Sequence, residues 1–165
     1  MIQSLRKSID KVLEFCLISL MTVMVLNVLW QVFSRYILQS PSSFTDELAR
    51  YLLIWVGLLG AAYVAGKRAH LAIDIFPTRL KPPARIFVHI FIDALIFCFA
   101  LSVMVIGGAR LVMISFHLAQ ISAALQIKIG YVYLAAPISG ALIMFYMAVF
   151  VHENLAKLRN IKPEG

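Results

Sequence analysis

Charged residues are scarce in this chain: they make up 14% of its 165 residues, whereas hydrophobic residues make up 62%. Soluble domains have roughly 25% charged and 45–50% apolar residues. A chain this short also has too much surface for its volume to bury such an excess of apolar side chains in water. The composition therefore excludes an ordinary soluble domain and predicts an integral membrane protein.

The sequence also lacks the usual signatures of catalysis and metal binding. Its two cysteines, Cys16 and Cys98, lie on different apolar segments and form no C-x-x-C pair. No P-loop, G-x-S-x-G or H-E-x-x-H motif is present. We therefore predict no enzyme activity, no cofactor and no metal site. Haem held between His89 and His152 stays open as an alternative, because axial ligation needs two histidines that face each other at one depth.

Acidic residues are outnumbered by basic ones, eight against fifteen, which gives a formal net charge of +7. In a soluble chain this excess would indicate a nucleic-acid partner. Here the basic residues lie in short loops and tails beside apolar runs, where they set topology and contact lipid headgroups. We therefore predict phospholipid contacts and no nucleic-acid binding.

Four apolar segments are long enough to cross a bilayer, at about 20 residues each. We predict an all-α membrane protein whose single four-span domain, residues 1–165, has spans near 12–34, 48–66, 86–114 and 129–151. Helices are required because backbone groups facing lipid must pair within their own segment. Eleven of the fifteen Lys and Arg residues lie in the two tails and the middle loop. This distribution predicts that both termini are cytoplasmic.

Two segments have the pattern of amphipathic arms lying in the membrane interface. Ile2, Leu5, Ile9 and Leu13 recur at helical spacing among basic residues, and the middle loop repeats this pattern over 71–81. For the middle loop, an ordinary loop is the alternative.

Small residues at four-residue spacing indicate close helix packing, either within the bundle or against a partner subunit. They are Gly57, Ala61 and Ala65 in the second span, with Gly60 and Ala62 alongside, and Ala136 and Gly140 in the fourth, where Pro137 is the interior proline.

Polar residues within apolar spans are candidates for function. His89 and Asp93 are four apart and share a helix face. Two interpretations stay open for them, a proton relay and a buried polar contact that fixes helix packing. Asn27 and Gln31 are also four apart, and interhelical hydrogen bonds are expected for both.

The richest block is 44–74. Asp46 and Glu47 precede Arg50 at helical spacing, which predicts ion pairs on the first turn of a helix that Thr45 would cap. The block resembles the small membrane subunit of TRAP transporters, the DctQ-like family. The matching positions are Asp46, Glu47, Leu48, Arg50, Trp55, Gly60, Ala61, Lys67, Arg68, His70 and Asp74. The first acid of that family's pattern is usually Glu, so Asp46 is a departure that keeps the charge.

Residues around Arg35-Tyr36, Gln126 and 133–137 also resemble this family, so the resemblance covers about 35–140. It implies a non-catalytic subunit of the bacterial inner membrane, with a large DctM-like membrane subunit and a periplasmic DctP-like binding protein as partners. It also implies sodium-driven uptake of an organic anion, such as a dicarboxylate or sugar acid, with the transport step in the large subunit. Arg35, His117 and Lys128 in the outer loops are the candidates for docking the binding protein.

The alternative from another functional class is a self-sufficient homodimeric exporter driven by protons. Such an exporter needs a membrane-embedded acid, and Asp93 or Glu14 would serve.

Overall fold

The computed structural model of the protein describes residues 2–40, 42–67 and 82–160. These residues are helical apart from short connections, and their only strand-like pairing is one isolated bridge between Ile121 and Lys128. The helices are α1 (Ile2–Tyr36), α2 (Ser43–Gly66), α3 (Pro82–Phe99), a π-helix (Ala100–Gly107), α4 (Gly108–His117), α5 (Gly130–Tyr133) and α6 (Ala135–Asn160).

Four helical stretches of the described chain are long and apolar enough to cross a membrane: Gln3–Tyr36, Ser43–Gly66, Ile86–His117 and Gly130–Ala156. The expectation of an all-helical protein with four candidate membrane spans is therefore confirmed. The third span consists of α3, the π-helix and α4, and the fourth consists of α5 and α6. We call the end that carries residues 37–42 and 118–129 the loop end, and the opposite end the termini end.

The predicted N-terminal arm differs from the structure. Helix α1 runs without interruption from Ile2 to Tyr36, so the amphipathic segment extends the first span instead of forming a separate helix. Leu13 is buried and Ile9 is packed against the core, so this part of the apolar side faces the bundle, whereas Leu5 is exposed. The second predicted arm, over 71–81, lies outside the described residues.

The fourth span is the centre of the bundle, because nearly half of it is buried, compared with less than a fifth of each other span. Its buried side chains pack against the small residues of α2 and against the third span. The core consists of Leu13, Leu59, Ala62, Ala65, Ala100, Ile143, Tyr146, Met147 and Phe150.

Close approach of the helices depends on glycines at several contacts. A Cβ at Gly66 would lie 2.7 Å from the ring of Tyr146, and one at Gly140 would lie 2.6 Å from the Cβ of Met104. A Cβ at Gly108 would lie 3.0 Å from the Cδ of Pro137. Larger residues at these positions would force the second and third spans away from the fourth.

Both the third and the fourth span contain an irregular stretch, and these stretches pack together. Pro137 has no N–H and cannot continue the helical hydrogen bonds, and one turn residue, Leu134, separates α5 from α6 in the fourth span. Opposite it lies the π-helix, whose Met104 packs on Gly140. The sequence predicted an interruption in the fourth span only, so the π-helix is an unpredicted feature. Such wide turns are rare and often mark functional positions.

Candidate interaction sites at the two ends of the bundle

At the loop end, Glu47 connects α2 to the loop of residues 118–129. Its carboxylate accepts hydrogen bonds from the backbone N–H groups of Ala124 at 2.8 Å and Leu125 at 2.9 Å, and from the Tyr51 hydroxyl at 2.7 Å. A carboxylate that accepts from several donors forms the stronger, charge-assisted kind of hydrogen bond. Glu47 therefore holds the loop against the first turns of α2.

The loop of residues 118–129 has an ordered structure of its own. The bridge between Ile121 and Lys128 closes it, and the Gln126 side chain donates a 3.0 Å hydrogen bond to the Ala123 carbonyl. Gln126 has a φ of 55°, in the left-handed region that residues other than glycine seldom adopt. Lys128 and more than half of the Ile121 side chain remain exposed, so the loop presents a fixed surface at this end.

The predicted interhelical contacts of Asn27 and Gln31 are present in the structure. The buried Asn27 amide donates to the Thr45 carbonyl at 2.8 Å, and Gln31 donates to the Asp46 carboxylate. Both bonds join α1 to α2 near the loop end. Arg35, one helical turn after Gln31, lines a small cavity with Asp46.

The local predictions for the start of α2 were wrong in two respects. The N-cap position is Ser42, and the Thr45 hydroxyl donates back to the Ser42 carbonyl at 2.9 Å from inside the helix. The ion pairs expected between Arg50 and the two acids do not form within the described chain, where the one ion pair is Lys67–Asp10. Asp46 and Glu47 take the partners given above, and Arg50 is exposed.

At the termini end, Asp10 is the centre of a second polar network. It accepts hydrogen bonds from the Tyr146 hydroxyl at 2.6 Å and from the Lys67 ammonium at 3.2 Å. The hydrogen bond to Asp10 is the main reason that the pKa of Lys67 is raised, and it favours the ammonium form. The network joins the first, second and fourth spans.

Arg6 strengthens the same end of the bundle. Its guanidinium donates a 2.6 Å hydrogen bond to the Gly66 carbonyl and lies 4.8 Å from the ring centroid of Phe150. A cation suits the C-terminal end of α2, where carbonyls lack helical partners. Asp10, Tyr146 and Arg6 were not among the predicted site residues. Tyr146 could have indicated this network, because the hydroxyl of a buried tyrosine needs a hydrogen-bond partner.

The small residues of α2 divide between two faces. Ala62, Ala65 and Gly66 are buried in the bundle, but Gly57 and Ala61 are exposed. Among the described residues, a Cβ at Gly57 would meet nothing within 4 Å. The predicted seam of Gly57, Ala61 and Ala65 is therefore divided: Ala65 packs inside the bundle, whereas for Gly57 and Ala61 contact with a partner subunit is the interpretation that stays open.

Other predicted small residues do pack inside the bundle. In the fourth span, Gly140 is buried and Ala136 and Pro137 lie close to the Gly108 position. Gly60 is half-buried, and a Cβ there would lie 4.0 Å from the Leu17 side chain.

Asp93 joins the third span to the fourth. It is 8% exposed and accepts a 3.2 Å hydrogen bond from the buried Asn154 amide. This bond fits the interpretation of Asp93 as a buried polar contact that fixes packing. His89, one turn earlier, is half-buried.

The remaining predicted positions are distributed as follows. Trp55 packs against the core. His117 is the exposed last residue of α4. Arg68, His70 and Asp74 lie outside the described residues.

Comparison with known proteins identifies the family. The family described as "Tripartite ATP-independent periplasmic transporters, DctQ component" matches residues 24–157, most of the chain. The chain belongs to this family. It is 27% identical over 162 residues to the sialic acid TRAP transporter small permease protein SiaQ of Vibrio cholerae, covering 95% of this chain and 88% of the relative.

Two further relatives are also TRAP small permeases. A putative small permease protein of Haemophilus influenzae is 29% identical over 144 residues, or 87% of this chain and 85% of the relative. The C4-dicarboxylate small permease protein DctQ of Rhodobacter capsulatus is 33% identical over 102 residues, or 61% of this chain and 44% of the relative.

Membership confirms the resemblance seen in the sequence. The chain is the small permease subunit of a TRAP transporter, a multi-pass protein of the inner membrane, and its family consists of transporter subunits and not of enzymes. Its partners are a large membrane permease and a periplasmic binding protein.

Proposed function

We propose that this DctQ-family subunit is the static support of its transporter: it braces the large subunit in the bilayer while the large subunit moves the substrate. The main support for this role is that polar side chains join separate elements of the bundle at both of its ends. Glu47 fixes the loop of residues 118–129 to α2, and Asp10 connects three spans at the opposite end. A bundle fixed in this way resists the tilting that a moving partner would impose.

Transport is of an organic anion, driven by a sodium gradient through the large subunit. The support for this substrate class is that two of the relatives are named for sialic acid and for C4-dicarboxylates, both of which carry carboxylates. The cost of burying a charge makes a dedicated site necessary for an anion in the membrane, and we assign that site to the large subunit.

The chain is a single four-span domain with both termini in the cytoplasm, so the loop end faces the periplasm. The distribution of Lys and Arg supports this orientation. In this orientation Arg6 and Lys67 lie on the cytoplasmic side, and the first turns of α1 contact the headgroup region.

We assign contact with the large subunit to the exposed face of α2. Gly57 and Ala61 lie on this face, and small residues allow another helix backbone to approach closely in lipid. Exposed positions recur along α2 at Arg50, Leu53, Gly57, Ala61 and Val64, which is the spacing of a helix-packing face.

Docking of the binding protein is assigned to the loop of residues 118–129 and its surroundings. Lys128 and Ile121 are exposed on this ordered loop, and His117 is exposed directly before it. A fixed loop loses less conformational freedom on binding than a mobile one.

Reconstitution into liposomes tests the proposal. The chain alone, the large subunit alone and both together are each supplied with binding protein, a sodium gradient and a panel of labelled organic anions. We expect uptake only when both membrane subunits are present. Uptake by the chain alone in a proton gradient would instead support the homodimeric exporter with Asp93 as its proton carrier.

A further inference from the structure

A small polar cavity lies at the loop end of the bundle, where α1 ends and α2 begins. Its volume is about 190 Å³ and it is lined by Gln31, Arg35, Ser42 and Asp46. The predicted roles of Gln31, Arg35 and Asp46 were separate: a packing amide, a docking residue and a family motif position. The structure brings them together around one space.

The cavity contains two charges of opposite sign that do not pair. Arg35 lies in the last turn of α1 and Asp46 in the first turn of α2, where the helix dipoles favour a cation and an anion respectively. Within the described residues, the two side chains form no ion pair with each other, and Asp46 is instead bonded to Gln31. The space between them therefore suits a group that carries both signs of charge.

Hydrogen-bonding capacity in the cavity supports the same conclusion. Arg35 has no ion-pair or hydrogen-bond partner in the described chain, and the Ser42 side chain makes no capping bond to α2. Gln31 occupies one carboxylate oxygen of Asp46, Oδ1, which leaves Oδ2 available as an acceptor. The cavity thus offers donors on one side and a negatively charged acceptor on the other.

We propose that this cavity binds the headgroup of a zwitterionic phospholipid with a primary ammonium, of the phosphatidylethanolamine class. The phosphate oxygens accept hydrogen bonds from the Arg35 guanidinium and the Ser42 hydroxyl, and the ammonium donates to Asp46 Oδ2. Arg is well suited to phosphate because its planar fork can donate two parallel hydrogen bonds.

The surroundings of the cavity favour a lipid. Large apolar side chains adjoin it in sequence and are exposed: Tyr36, Ile37, Leu38 and Phe44. Aromatic residues concentrate at the level of the headgroups in membrane proteins, and these side chains can contact the glycerol and upper acyl region of the same molecule. A lipid with net negative charge fits less well, because its excess charge would lie beside Asp46. A choline headgroup has no N–H to donate to that carboxylate.

Native mass spectrometry of the full chain, purified and delipidated in detergent, tests this site. Phosphatidylethanolamine, phosphatidylcholine and phosphatidylglycerol with identical acyl chains are added in equal amounts, and the retained lipid is measured. We expect preferential retention of phosphatidylethanolamine. Arg35→Gln should weaken retention of phosphatidylethanolamine about five-fold, the order of effect of one cation near a lipid headgroup. Asp46→Asn should remove the preference over phosphatidylcholine.

The matched control is Arg110→Gln, which removes an exposed arginine of α4 that does not line the cavity. It should leave retention unchanged. If Arg35→Gln or Asp46→Asn shows no folded melting transition, Ser42→Ala is used instead. That substitution removes one hydrogen-bond donor with no loss of charge, and it should still weaken retention of the lipid.

Equal retention of the three lipids by the wild-type chain would overturn the proposal. So would unchanged retention in folded Arg35→Gln and Asp46→Asn variants. If Arg35→Gln leaves lipid retention intact but weakens co-purification of the large subunit or the binding protein, the cavity receives a protein side chain and the lipid assignment is wrong. The lipid-retention results concern the purified chain alone, so they are independent of its role in transport.

Discussion

Glu47 and Leu125 are 78 positions apart in the chain, yet the Leu125 backbone N–H donates a 2.9 Å hydrogen bond to the Glu47 carboxylate. Replacement of Glu47 by Ala should release the loop of residues 118–129, because Ala124 and Leu125 would lose their shared acceptor. Hydrogen exchange of these two amides, followed by mass spectrometry, should become faster. Asp46→Asn is the control, since Asp46 does not contact the loop, and equal exchange in Glu47→Ala and wild type would contradict the role of Glu47.

Gly140→Ala should destabilise the bundle, because the new Cβ would lie 2.6 Å from the Cβ of Met104. Overpacking of this kind costs about 1–3 kcal/mol, and each kcal/mol lowers the melting temperature of a chain this long by about 2–4 °C. Gly57→Ala is the control, because its Cβ meets nothing within 4 Å in the described part of the chain. Thermal unfolding in detergent should show a lower melting temperature for Gly140→Ala than for Gly57→Ala.

A larger substitution at Gly57 tests the proposed contact face of α2. Gly57→Leu should leave the melting temperature of the isolated chain unchanged but reduce co-purification of the large subunit. Normal co-purification with Gly57→Leu would remove the support for this face.

Tyr146→Phe should weaken the termini end, because it removes the hydroxyl that donates to Asp10 at 2.6 Å. A single hydrogen bond of this kind contributes about 1 kcal/mol, so the melting temperature should fall by a few degrees. Tyr131→Phe is the matched control, since Tyr131 is exposed and contacts Phe116 through its ring. An equal effect of both substitutions would argue against the Asp10 network.

Asp93→Asn distinguishes a packing contact from a proton relay. Asparagine keeps an oxygen that can accept the hydrogen bond from Asn154, but it cannot carry a proton. We expect normal assembly and sodium-driven uptake for this variant. Asp93→Leu should be destabilised by about 0.6–2 kcal/mol, the usual range for an interhelical hydrogen bond in membranes. A folded, assembled Asp93→Asn complex without uptake would support the relay.

Lys128→Glu should weaken binding of the periplasmic protein to the reconstituted complex, because it reverses the exposed charge on the proposed docking loop. Surface charges mainly affect the association rate, so the loss of binding should be smaller at high salt. Arg159→Glu reverses an exposed charge at the termini end and should have no effect. Identical affinities for the two variants, measured by surface plasmon resonance, would exclude Lys128 from docking.

The spans could be predicted because their physical requirement is simple: a lipid-facing backbone needs continuous apolar residues in a helix. Asn27 and Gln31 were predictable for the same reason, since a polar amide at that depth must find a partner, and both find one on α2.

The partners of Glu47 could not be predicted from sequence. Local spacing favoured Arg50, which lies three positions away, but the carboxylate instead binds backbone amides of a distant loop. Backbone donors have no residue signature, so their positions follow only from the folded loop.

The buried face of α2 was ambiguous because small residues occur all around the helix. Gly57 and Ala61 are exposed, while Ala62 and Ala65 are buried, although both pairs have similar spacing. The side chains of the fourth span decide which face is covered, and the large ring of Tyr146 selects Gly66.

The π-helix of Ala100–Gly107 makes the third span sensitive to insertions and deletions. Removal of a residue that the wide turns do not absorb would rotate everything beyond it around the helix axis. Gly108 would then no longer point at Pro137, and a bulkier neighbour would take its place. Length changes among relatives should therefore be tolerated in the surface loops and excluded from this part of the third span.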